Sequence, residues 1–203
     1  MLSSADERLT GRHVWDPLVR IGHWLLVTSV IAAWFTRHGG GIWHEVIGYA
    51  ALAVVAVRLV WGMTGTRYAR FADFVRGPRG TLAYARQMWR GAEPRHLGHN
   101  PLGGWMIIAL IITVIVITIS GWLYTTDRFW GVAWVDMLHS KSTDVLFVLV
   151  ALHVAGVLYS SWRHRENLVA AMLHGRKRPE AEPQPVMSGR VLTERSADEY
   201  RSA

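Results

Sequence analysis

The chain contains no cysteine in 203 residues, which excludes disulfides, thiolate-held iron–sulfur clusters and covalent C-x-x-C-H haem attachment. Any bound cofactor has to be held by other side chains. Charge is sparse inside four apolar windows, Leu18–Thr36, Ile42–Gly62, Gly104–Tyr124 and Thr143–Trp162, each close to the ~20 residues a helix needs to cross a bilayer. Only the third lacks both charge and histidine. The first window has no small-residue cleavage site behind it, so it reads as a retained helix and not as a signal peptide. Discontinuous Gly/Pro-interrupted spans and an internal repeat are also missing, which argues against a transporter or channel.

Fifty-one percent of the residues are hydrophobic, and they gather in blocks, so lipid is the expected solvent. The formal charge of +7 would suit nucleic acid, but its placement points elsewhere. Of the 22 Lys and Arg, only Arg37, Arg128 and Lys141 belong to the connections after the first and third spans, and the other 19 fall toward the opposite side. By the positive-inside pattern both termini and the long central loop are expected in the cytoplasm of a bacterial inner (plasma) membrane. The basic surface then faces anionic headgroups and no nucleic-acid partner is expected.

Residues 1–14 and 179–203 are polar and poor in periodic apolar residues, and are expected as a mobile N-terminal tail and a disordered C-terminal tail. Residues 15–178 form the membrane domain. In the central loop, Pro78 is a natural first helical residue, and Leu82, Ala85 and Trp89 recur at helical spacing among arginines. This predicts an amphipathic helix on the cytoplasmic interface. The expected fold is all-α, a four-helix membrane bundle with one such interfacial helix.

Ten histidines remain to be explained. A titratable residue within a span is rare, because hydrocarbon offers it no partner. His23 lies about five residues into the first span and His153 nine residues before the inner end of the fourth, depths of roughly 8 and 14 Å at ~1.5 Å per residue. They form an inner pair. His44 opens the second span on the outer side and His139 precedes the fourth on that same side, forming an outer pair. If the fourth helix starts before His139, His139 and His153 lie nearly four turns apart on one face, about 21 Å from each other. One helix can then serve two irons, since imidazole is a normal axial ligand of haem. Gly22, Gly48, Gly121 and Gly156 either make room for a flat macrocycle or pack helix on helix. Arg58 either snorkels to headgroups or pairs with a haem propionate. His13, His38, His96, His99, His164 and His174 fall in loops or tails and are expected to be solvated.

Several stretches, in order and spacing, resemble the bacterial cytochrome b561 family, which includes the b-type subunits of nickel–iron hydrogenases. They are Val14-Trp15-Asp16-Pro17-Leu18-Val19-Arg20 leading into His23-Trp24, His44-Glu45 with Gly48-Tyr49, and Arg58-Leu59-Val60-Trp61-Gly62. Further along come Arg70-Phe71-Ala72-Asp73-Phe74-Val75, Gly98-His99-Asn100-Pro101-Leu102-Gly103-Gly104-Trp105, His153-Val154-Ala155-Gly156-Val157 and His164-Arg165-Glu166-Asn167-Leu168-Val169. The resemblance implies four helices and two non-covalent b haems, each iron bound by histidine on both faces, with ligands falling on His23, His44, His139 and His153. It also implies electron exchange with membrane quinone and with a periplasmic donor, superoxide or a redox protein, which would make the chain either an electron-transfer protein or a quinone-linked oxidoreductase. The alternative is a membrane-anchor subunit of a larger respiratory complex such as a hydrogenase or dehydrogenase. A glutamate usual after the histidine at 139 is replaced here by Ser140 and Lys141.

Overall fold

The computed structural model describes residues 12–39 and 41–177; of the expected tails, residues 1–11 and 179–203 lie outside the described residues, while 12–14 are described and Val14 is buried. Four helices are long and apolar enough to cross a membrane: α1 Pro17–Thr36, α2 Ile42–Thr64, α5 Pro101–Tyr124 and α6 Ala133–Arg163. Between α2 and α5 run α3, Phe71–Phe74, and α4, Pro78–Trp89; α7, Leu168–His174, follows α6. Two short strands, β1 Arg12–His13 and β2 Arg176–Lys177, pair antiparallel.

The helix starts follow local rules. Pro17 and Pro101 each occupy the first turn, where a missing N–H costs nothing. The residue before each accepts a backbone N–H, Asp16 from Val19 at 2.9 Å and Asn100 from Gly103 at 2.7 Å. α6 starts ten residues before the apolar window that predicted it. His139, Ser140, Lys141, Ser142 and Asp144 lower the local hydropathy without breaking the helix. At ~1.5 Å per residue, its 31 residues run to roughly 46 Å, longer than the ~30 Å hydrocarbon core. Its first turns therefore project out of the hydrocarbon or tilt with it.

The spans pack in chain order: α1 on α2, α2 on α5 and α5 on α6. α1 and α6 make no comparable backbone contact. Ala51, Val55, Ile111, Val114 and Leu146 form the core shared by α2, α5 and α6, while most other apolar side chains on the spans remain exposed, as lipid-facing surface must be.

A second core closes one end, where Val14, Trp15, Val19, Ala69 and Ala171 are buried together. Gly175 accepts from the N–H groups of Val14 and Trp15 at 2.9 and 3.1 Å. It does so at φ 82° with Trp15 O only 2.8 Å from where a Cβ would stand, so this close approach needs glycine. The start and the end of the described chain thus lie at the same end of the bundle. The loop is clamped there by Arg95–Glu166 and Arg163–Glu93, both 3.1 Å. Within α4, Tyr84 is the buried residue, whereas Leu82 and Trp89 are 53% and 93% exposed. The helix expected at Pro78 is present, and of the three apolar residues that predicted it, Leu82 and Trp89 are left for a non-protein phase.

Candidate functional site

The outer pair is built by all four spans. His44 sits in the first turn of α2 and His139 two turns into α6, and their ring centroids are 6.1 Å apart with planes at 72°. His139 Nδ1 lies 2.9 Å from the carbonyl of Ile117 on α5, and His44 Nδ1 lies 3.2 Å from the carbonyl of Ala33 on α1. A carbonyl only accepts, so Nδ1 carries the proton in each ring and Nε2 keeps a free lone pair. Two imidazole–metal bonds of about 2.0–2.1 Å, with a ring radius at either end, span a centroid separation of this size. Gly121 completes the arrangement: a Cβ there would stand 3.0 Å from His139 Cε1, so its glycine lets the ring lie against α5.

At the inner end His23 and His153 are close enough to influence each other electrostatically, but no ring contact joins them. Both are half-buried. His23 Nδ1 is buried without a hydrogen-bond partner, and its ring meets Trp24 edge-on at 5.2 Å. Arg58 does not reach out to solvent. Its Nη2 donates to Ala69 O at 2.9 Å, its Cζ lies 4.7 Å from the Phe71 ring centroid, and its Nη1 is buried without a partner. That geometry departs from a snorkelling arginine and leaves one donor free for an anion.

His99 was expected to be solvated, and the structure corrects this. Its ring is enclosed between Trp15 at 4.5 Å and Phe74 at 4.6 Å, and its Nδ1 is buried without a partner. Burial holds its pKa down at about 3, with Arg58, Lys177, His153 and His23 adding to the effect. The enclosing rings come from distant parts of the chain, and the local sequence, in which His99 immediately precedes the Asn100–Pro101 helix start, gives no sign of them. His13, His38 and His174 are exposed as expected, whereas His96 is half-buried against Tyr84 at 5.4 Å and His164 is half-buried at the end of α6.

These residues fit a haem on each level. A Cβ at Gly48 or Gly156 would meet nothing within 4 Å, so there is open space four residues after His44 and three after His153. Gly22 by contrast makes ordinary contact with Val54 at 3.6 Å. The sparsely packed seam between α1 and α6 offers room for a flat ligand, and across it Trp34 of α1 meets Phe147 of α6 at 4.5 Å. Among the described residues, no three or more His, Asp or Glu converge as a cage for a metal ion.

A family model described as prokaryotic cytochrome b561 matches residues 14–175, a stretch containing all four spans and every residue of both pairs. Comparison with curated proteins and with solved structures gives no match.

Proposed function

The chain belongs to the prokaryotic cytochrome b561 family, and on that basis we propose that it is a multi-pass di-haem b-type cytochrome carrying electrons between a periplasmic-side donor and membrane quinone. Family membership and four apolar helices establish a membrane protein of cytochrome b type, for which haem b is the implied cofactor. The observation that carries the finer reading is the His44–His139 separation of 6.1 Å, with each Nδ1 engaged by a carbonyl.

When bound, each haem supplies reversible one-electron chemistry, its potential tuned by axial ligands, hydrogen bonds and burial. The protein's own part is positional. Ala33 and Ile117 fix the tautomer and orientation of the outer rings, Gly121 keeps the His139 ring unstrained, and His23 and His153 provide the inner ligands. Quinone takes up two electrons, and two one-electron centres suit such a substrate.

Superoxide remains one candidate donor, but the outer end carries little steering charge. Lys141 pairs with Asp144 at 3.1 Å, and Arg37 lies 3.2 Å over the Trp34 ring. Glu45, Asp127, Asp136 and Asp144 outnumber the three cations there. This balance favours the second reading, a membrane subunit fed by a protein partner.

The test is haem content. His44→Ala or His139→Ala should remove one haem and His23→Ala or His153→Ala the other, lowering the haem-to-protein ratio from two toward one in reduced-minus-oxidised spectra. A His23→Ala protein that keeps both haems, or one in which His44 behaves as the partner of His153, sinks the assignment.

A further inference from the structure

Beyond the ligand pairs, the inner end gathers three largely buried nitrogen-bearing side chains, two of which keep a polar atom without an internal partner. Arg58 leaves Nη1 buried without a partner, and His99 does the same with Nδ1. Lys177, only 7% exposed, lies 5.5 Å over the Trp15 ring, whose other neighbour is His99 at 4.5 Å. Arg58 in turn stands over Phe71, which packs on Phe74, and Phe74 packs on His99 at 4.6 Å. The three are therefore joined through a short aromatic chain, and His99 is close enough to His23 and His153 to feel their charge.

Buried cations are costly unless an anion compensates them. Asp16 and Glu166 lie close enough to act on Arg58 and Lys177 through their charge, but their hydrogen-bonding oxygens are engaged by other groups. Asp16 accepts from Trp61, Thr66 and Val19 at 2.9, 2.6 and 2.9 Å, and Glu166 is paired with Arg95 at 3.1 Å. Among the described residues, no carboxylate bonds Arg58 Nη1 or His99 Nδ1. Haem b carries two carboxylates on one edge.

We propose that Arg58, His99 and Lys177 form the cradle that binds the propionates of the inner haem, fixing its edge toward the end of the bundle closed by β1 and β2. The inference rests on the proposed inner haem and assigns residues beyond its axial ligands. Arg58 would meet a carboxylate with its free Nη1, Lys177 with its ammonium and His99 with Nδ1–H. Lys177 matters for another reason, since it belongs to β2 and so couples the closing of the polar end to the cofactor.

The test uses the full-length His44→Ala protein, in which only the inner ligand pair is intact, produced without haem and purified in detergent. Optical titration compares haem with haem dimethyl ester, whose carboxylates are blocked. Haem should bind at least about tenfold more tightly than the ester. Lys177→Gln, Arg58→Gln and His99→Gln should each weaken haem binding several-fold while leaving ester binding unchanged. Equal weakening of both ligands would mean a purely structural role and would overturn the cradle alone, as would equal binding of haem and ester by the parent protein. If the His44→Ala protein binds no haem although His23 and His153 are present, the inner haem and its cradle fall together.

Discussion

At the scale of single residues, the outer site makes a sharp demand on one position. A Cβ at residue 121 would stand 3.0 Å from His139 Cε1 and 3.1 Å from Nδ1, so Gly121→Ala should tilt the ring and disturb its 2.9 Å bond to Ile117 O. Perturbing such an outer partner of a metal-bound histidine typically costs about 10–100-fold in affinity. The expected outcome is selective loss of the outer haem, read as a fall in haem content with the inner spectrum retained. An unchanged spectrum and unchanged content would refute the role given to Gly121. The close approach of His44 and His139 was legible in the sequence because depth in a span is simple counting. The partners that orient them were not, because the carbonyls of Ala33 and Ile117 belong to other helices and every residue has one. His99 and Lys177 escaped for a related reason: their enclosure depends on Trp15 and Phe74 folding over them from distant parts of the chain.

At the scale of elements, the helix starts are the best-determined features, and Asp16 ties one of them to the rest of the molecule. Burial alone would raise its pKa, but bonds from Thr66, Trp61, Val19 and Leu18 outweigh that and hold it below the usual carboxylate range. Because the folded-state pKa is depressed, this stabilisation is fully present above the unfolded value and is lost as pH falls through the folded one. Asp16→Ala should destabilise the detergent-solubilised protein by about 1–2 kcal/mol at pH 7, from the lost cap and the orphaned donors. The difference from wild type should shrink below about pH 3.9, when the unfolded carboxylate is protonated. Thermal unfolding followed by circular dichroism at both pH values measures it. The span boundaries read from hydropathy agree within a few residues for α1, α2 and α5. They miss ten residues of α6, because hydropathy reports the solvent a segment prefers while helix formation also tolerates polar residues such as Ser140 and Lys141.

For the whole molecule, four spans place both ends of the described chain on one side, and the pairing of Arg12–His13 with Arg176–Lys177 agrees with that. Which side is a question of charge. With 19 of the 22 Lys and Arg assigned to that end and its loops, the termini should be cytoplasmic. A reporter fused after Ala203 should be active only in its cytoplasmic form, and activity only in the periplasm would invert the topology. Exchange of the inner and outer labels would follow, though not of the histidine pairing.

The order in which the spans touch also bears on assembly. Each span packs on the one before it as the chain enters the bilayer, α2 on α1, α5 on α2 and α6 on α5, so no early helix has to wait for a distant one. The bundle can grow as a row, one neighbour at a time, at low topological cost. What the row lacks is an extensive contact between its first and last members, which carry His23, His139 and His153 and meet through the Trp34 and Phe147 rings. In the proposed holoprotein, cofactor capture would then be the final assembly step, a molecular keystone that turns an open sequence of helices into a ring. A cell short of haem would be left holding an opened, protease-accessible intermediate in its place.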